Sequence, residues 1–243
     1  MANETGHARN LQRFEELCSF IASWGGAYNP GNPDIALINL QKKLANAQTA
    51  MANVSAALAA NKAAINARET EFAGLRKLVT RVVAYYSSTG AAENKIADAM
   101  TFKRKLGAQR AEKLEDDPST PDVDESKGGI SVSQQSYTQL VAHFEGLINL
   151  LAADAAYSPN EPELAIAGLQ SRLSALKTAN TAVIDSNTDI SNKRVSRDAQ
   201  MYDPATGLVD LALLAKKYVK AAFGADSSEY GQIKALEFRN VPA

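Results

Sequence analysis

The chain has 243 residues, 45% of them hydrophobic, a formal charge of −1 at pH 7, one cysteine and two histidines. That length fits one large domain or two of ordinary size, and a half of about 120 residues can bury a core without disulfides or metals. The near-neutral charge argues against bulk nucleic acid or an anionic bilayer as a partner of the whole molecule, and the lone Cys18 excludes an internal disulfide or a thiolate metal cluster.

The opening MANETGHARNLQRFEE is polar and charged, without the basic start and apolar run of a secretory signal. No uncharged apolar stretch of about 18 residues follows anywhere, so no membrane-spanning helix is expected. With one cysteine, a reducing cytosol suits the composition, and the expectation is a soluble cytoplasmic protein. The glycosylation patterns at Asn3 and Asn53 then count as chance matches.

In chain order, FEELCSFI (Phe14 to Ile21) reads as a first, short helix, followed by the phrase YNPGNPDIALINLQ from Tyr28. Pro30 turns the chain into extended conformation. Asn32 is a good N-cap, Pro33 fits a first helical position, and Asp34 suits the first turn of a long helix. From Leu37 the positions 37, 40, 44, 47, 51, 54, 58, 61, 65, 68 and 72 alternate in three-four spacing, the seam of a coiled-coil-like helix. Gly74 marks a break before a third helix through Tyr86, while the apolar spacing runs on through Leu75, Val79 and Val82 and leaves one continuous helix to Ser88 open; Gly90 reads as the C-terminal end, and a fourth helix carries AMTFKRK (Ala99 to Lys105).

The chain then says much of this again. YSPNEPELAIAGLQ begins at Tyr157, an offset of 129 from Tyr28; FEGLINLL (Phe144 to Leu151) answers FEELCSFI, LQSRL answers LQKKL, and ALEFRNV (Ala235 to Val241) answers AMTFKRK. The second seam, from Ile166 to Met201, is more polar, with Asn180, Asn187, Arg194 and Arg197 on it. Asp203 and Pro204 read as N-cap and first position of the next helix, and Gly224 as its end. Between the copies, EDDPSTPDVDESKGG is acidic and almost free of apolar residues, a composition that cannot offset the entropy of ordering.

The expected fold is therefore all-α: repeat 1 at 1–114, a flexible acidic linker at 115–129 and repeat 2 at 130–243, two homologous helical bundles. Each half reads as four helices, one of them near 38 residues and so about 57 Å long, which makes an elongated molecule. No run has the period of two that a strand requires.

The text ETGHARN at Glu4, the Tyr-x-Pro corner, and ARETEFAGLRKLVTRVV from Ala67 resemble a group of uncharacterised tandem-repeat helical proteins of Bacteroidota. The resemblance covers the whole chain and implies a bacterial setting, with no activity, ligand or site residue to carry over.

Chemistry is sparse. His7 and His143 are too few for a metal-binding bundle, which needs several ligands on facing helices, and Cys18 between Leu17 and Phe20 reads as a buried apolar group. Ser174-x-x-Lys177 lacks the companion motifs of penicillin-binding proteins, and no phosphate-binding glycine loop is present. Pro-x-x-Pro at 30–33 and 159–162 has the spacing of polyproline ligands, but two prolines around helix ends account for it as a corner.

Two features stand out. Lys103, Arg104, Lys105, Arg110 and Lys113 form a basic run on the fourth helix, a phosphate-contacting surface or a solvated face balanced by the acidic linker. Arg68 and Arg197 occupy equivalent seam positions, which points to a helix face left open to solvent more than to a buried pair fixing register. These seven residues are the candidate interaction surface, with no catalytic, cofactor or metal residue expected. The function expected is a non-enzymatic helical scaffold or protein-interaction module that binds a protein partner or its own copies. The alternatives are a nucleic-acid-associated protein using 103–113, or a small-ligand protein with its site between the repeats.

Overall fold

A computed structural model describes residues 2–107 and 135–240, with side chains from Thr5 onward. The expected linker at 115–129 lies outside the described residues, as do Arg110 and Lys113. The described residues form α1 (Ala2–Ser23), α2 (Leu37–Phe72), α3 (Leu75–Ser88), α4 (Glu93–Gly107), α5 (Tyr137–Ala152), α6 (Ile166–Tyr202), α7 (Leu208–Phe223) and α8 (Ser228–Ile233), with no strand among them. The fold is all-α. No helix among the described residues is long and apolar enough to cross a membrane.

The compact units cut across the expected domains 1–114 and 130–243. One unit combines Met1–Asn61 with Ser186–Ala243, and the other is Lys62–Asp185. The physical reason is where each apolar face finds cover. In the first unit α1 turns Phe14, Leu17, Cys18 and Ile21 inward, at the three-four spacing of an amphipathic helix, and they pack with Leu208, Leu211, Ala212, Ala215 and Val219 of α7. In the second unit α5 does the same with Val141, Phe144, Leu147, Ile148 and Leu151, against Val79, Val82, Val83 and Tyr86 of α3. Each core thus joins residues from both halves of the sequence. Phe14 and Phe144 are fully buried, each side chain contributing about 1.5–3 kcal/mol by leaving water.

Both Tyr-x-Pro phrases fold into corners held by the same bond. Tyr28 donates its hydroxyl hydrogen to the Ile35 carbonyl at 2.7 Å, and Tyr157 does so to the Leu164 carbonyl at 2.7 Å. Asn32 is an N-cap, accepting from the Asp34 N–H at 3.0 Å. What it caps is a single 3₁₀ turn, Pro33–Ile35, and α2 starts only at Leu37, because Ala36 is extended (φ −60°, ψ 141°). Asp34 therefore lies ahead of the long helix rather than in its first turn. The second corner differs at Gly168, where a Cβ would stand 2.1 Å from the Pro162 carbonyl oxygen. The residue in that place in the first corner is Asn39, which donates to the Pro33 carbonyl at 2.8 Å.

The break expected near residue 73 is present: α2 ends at Phe72, and Gly74 at φ +80° caps α3. The corresponding restart is not at Pro204. Gly207 is the N-cap of α7, and the intervening turn is held by Ala205 N–H donating to the Asp210 carboxylate at 2.9 Å. The seam of α6 is buried at Leu169, Leu173, Leu176, Val183, Ile190, Arg197 and Met201. In α2 the expected positions Leu40, Ala47 and Val54 are buried, while Ala50 and Ala57 are buried beside the expected 51 and 58, leaving Leu58 39% exposed. A helix of 3.6 residues per turn drifts about 20° per heptad against a strict 3.5 repeat.

Replacing Tyr28 or Tyr157 by phenylalanine strands a buried carbonyl. Each change should lower stability in urea melts by about 1–3 kcal/mol, and the two should add, since separated sites without shared partners are independent. Equal stability of the variants and the parent would show that the bonds are not needed at the corners.

Candidate functional site

The described residues singled out in the sequence have different surroundings. In the second unit Lys103 is half-buried and lines a recess of about 180 Å³ with Arg76, Val79, Thr80, Leu106 and Gly107. Arg104 turns back to its own Thr101 at 3.0 Å, and the Lys105 ammonium lies 5.9 Å from the centre of the Phe102 ring. Three consecutive helical residues fan over about 200°, so they cannot track one phosphate backbone together. Arg68 stacks 4.0 Å over the Tyr137 ring and donates to Asn180 Oδ1 at 3.3 Å.

Arg197 corrects the expectation of an open seam. It is 3% exposed, with Nη2 and Nε on the Asp198 carboxylate at 2.8 and 2.9 Å. A guanidinium is buried only with hydrogen-bonded compensation, so Arg197 belongs to the interior of the first unit and not to its surface.

A groove of about 620 Å³ in the second unit runs past Glu71, Lys77, Arg81, Glu163, Ser171 and Arg172. Two of its cations, Arg81 and Arg172, are engaged in ion pairs. Arg81 pairs with Glu163 at 2.5 Å, and Arg172 pairs with the Glu71 carboxylate at 2.9 Å. The same Arg172 donates to the carbonyls of Glu71 and Ala73, where the last turn of α2 leaves acceptors without helical donors. In the first unit Lys43 bonds Gln200 at 3.2 Å in the matching place.

Nearby, the buried Tyr86 hydroxyl donates to Asp154 at 2.6 Å, and Lys95 pairs with the same carboxylate at 3.0 Å. These partners, with the Ala156 N–H, hold the Asp154 carboxyl down at about 2, the Tyr86 hydroxyl bond contributing most. Burial, then the bond to Asp154, pushes the Tyr86 phenol up to about 12. Burial lowers His143, helped by the charge of Lys105. Cys18 is buried, and desolvation raises its thiol to about 12, as expected of an apolar filler.

The first unit holds an arrangement of another kind, a clamp on the chain that follows α8. There the Leu236 N–H closes a turn on the Ile233 carbonyl at 3.0 Å, residues 236–240 lie in neither helix nor strand, and side chains of α1 and α7 bind their peptide groups. Asn10, only 3% exposed, donates from Nδ2 to the Arg239 carbonyl at 2.7 Å and accepts from the Arg239 N–H at 3.2 Å. Arg13 donates to the Glu237 carbonyl. Lys216 donates to the carbonyls of Lys234 and Leu236 at 3.1 and 2.6 Å. Phe238 meets Phe14 edge-on, ring centres 6.5 Å apart. Behind this clamp, buried His7 bonds the Tyr202 hydroxyl at 2.6 Å through Nδ1.

No family model, curated protein or solved structure matches the chain.

Sequence reasoning passed over Asn10, Arg13 and Lys216. The one signal available was the comparison of the copies: Asn10 stands where the second copy has Leu140, on the inward side of an amphipathic helix. A polar residue at such a place needs a hydrogen-bonding partner.

The Asp154 contact sets a pH dependence. Its folded pKa is depressed from the ordinary 3.8 to about 2, so the stabilisation is present above about pH 4 and is lost as pH falls toward 2. Tyr86 is raised, so its share is present below pH 10 and is lost as pH rises through about 12. Denaturant melts of Asp154→Asn should therefore show a shallower loss of stability between pH 4 and 2 than the parent. Parallel curves would contradict the assignment.

Proposed function

We propose that the protein is a non-enzymatic helical scaffold or protein-interaction module. Two homologous tandem helical repeats present long, coiled-coil-like helices to a protein partner or to further copies of the chain. The observation that carries this reading is the exposure of large apolar side chains on the long helices: Val195 is 68%, Ile38 59% and Ile184 58% exposed. Scattered exposed apolar residues are ordinary. These three are β-branched, however, and a helix restricts such side chains at χ1 without return unless they pack. Neither propensity nor the unit cores account for them, whereas a partner that covers them does.

The duplicated reading is supported by local geometry that recurs at matching positions. The Tyr28 and Tyr157 bonds are alike. The Lys43–Gln200 and Glu71–Arg172 contacts join residues that the 129-residue offset exchanges, and Gly90 and Gly224 end the third helix of each half at positive φ. A cytoplasmic, bacterial setting belongs to the same proposal.

Light scattering coupled to size exclusion tests it. The parent should show a mass that climbs with concentration, or a fixed multimer, or should retain a protein partner. Val195→Glu should shift it toward the chain mass of 25.9 kDa with an unchanged thermal midpoint, because a solvent-facing substitution usually changes stability by no more than about 0.5 kcal/mol. A steady monomer that retains no partner, and is indifferent to Val195→Glu, would contradict the reading.

A further inference from the structure

The groove of about 620 Å³ lies wholly within the second unit and is lined from the end of α2, the start of α3, the second corner and the first turns of α6. Its size is that of small-molecule sites, which run from about 300 to 1,000 Å³. Three cations, Lys77, Arg81 and Arg172, share its wall with two carboxylates, Glu71 and Glu163, so one positive charge is left over. That charge belongs to a particular residue. Arg81 holds Glu163 and Arg172 holds Glu71, whereas Lys77 makes no ion pair and no side-chain hydrogen bond among the described residues. Lys77 and Arg81 also stand one turn apart on α3, a like-charge spacing that weakens a helix. An anion seated between them removes the repulsion. Ala73, Leu78 and Ala175 give the same groove an apolar surface.

The first copy shows what the aligned positions hold where the chain satisfies itself. With GLRKLV from Gly74 set against GLVDLA from Gly207, Lys77 stands where the first unit has Asp210, and Arg81 where it has Leu214. The Asp210 carboxylate accepts from the Ala205 N–H at 2.9 Å, so the first unit places a carboxylate of its own at this turn. In the second unit the aligned residue is a cation instead. On α6 the side chains shrink, with Gly168 for Asn39 and Ala175 for Asn46. A Cβ at Gly168 would stand 2.1 Å from the Pro162 carbonyl oxygen and 3.2 Å from Glu163 Cα, so the glycine is what seats Glu163 against α6 at the groove.

The wall also indicates the head group. Both guanidinium groups already receive carboxylates of this chain, and the planar fork of arginine matches that group. One surplus positive charge suits a monoanion, and the two glutamates repel a dianion such as phosphate. We propose that the groove binds a small organic monocarboxylate, with its carboxylate between Lys77 and Arg81 and its apolar body against Ala73, Leu78 and Ala175. The site goes beyond the interaction-module reading and does not depend on it. The incoming carboxylate competes with Glu163 for Arg81. That pair is 52% and 59% exposed, and an ion pair so open to water is weak enough to yield.

Amide chemical-shift titration of the intact chain with benzoate tests this, with benzamide as the uncharged counterpart and inorganic phosphate as an anion without an apolar body. Benzoate should move the amides of residues 71–81 and 163–175 and saturate at roughly millimolar concentration, and the other two should bind at least about tenfold more weakly. Lys77→Gln should weaken benzoate about tenfold, whereas Glu163→Gln should tighten it severalfold by leaving Arg81 to the ligand. Both variants should keep the thermal midpoint of the parent. A lysine that is merely solvated predicts neither change. Equal affinity for benzoate and benzamide, or for benzoate and phosphate, would overturn the proposal. So would an absence of shifts in the groove at tens of millimolar, or benzoate binding that ignores Lys77→Gln or weakens in Glu163→Gln. Val195→Glu should leave the titration unchanged, which separates failure of this groove from failure of the long-helix surface.

Discussion

Neither half of this sequence can cover its own apolar faces, and the rest of the structure depends on that constraint. The inward stripe of α1, Phe14 to Ile21, is closed by α7 from the other half. That of α5, Val141 to Leu151, is closed by α3 and α4. A helix of such length is marginal alone in water, and its stability comes from the face it buries. The long helices serve both cores: α2 supplies residues 37–61 to the first unit and 62–72 to the second, while α6 supplies 166–185 to the second and 186–202 to the first.

Given that constraint, the places where the chain changes direction must be fixed firmly, and polar side chains fix them. A buried tyrosine hydroxyl on a carbonyl sets each entry to a long helix, and a partly exposed Arg172 or Lys43 bonds the end of the other long helix. Such bonds add only about 1 kcal/mol each in net terms, but leaving one partner bare in the interior costs more. Asn10 obeys the same rule with a different result. Its amide serves the N–H and carbonyl of Arg239, far away in sequence.

Much of the local structure was legible in the residues. The helices, the glycine ends at Gly90 and Gly224 and the burial of Cys18 follow from periodicity, propensity and turn chemistry, whereas the break at Gly74 stayed open because the apolar spacing runs on past it, and Asn32 caps a 3₁₀ turn rather than the long helix. Errors arose where tertiary partners decide. Pro204 has the marks of a first helical position, yet Asp210 holds the turn so that the helix starts at Leu208. Arg197 has the marks of a solvent-facing residue, and its burial depends on a compensating neighbour, Asp198, together with the core around it. The compact units were not legible, because the pattern of a stripe shows that a face must be covered without showing by which helix. For the clamp, Asn10 against Leu140 was the visible sign; the segment it holds is recognisable only once the chain has returned to α1 from the far end of the sequence.

The interleaving of the halves is the central claim, and separate production of residues 1–114 and 130–243 tests it most directly. Each piece alone should lack a cooperative thermal transition, because it holds only one side of each core. An equimolar mixture should regain one near that of the intact chain. Two pieces that each melt cooperatively alone, unchanged on mixing, would contradict the account and restore the halves as independent domains.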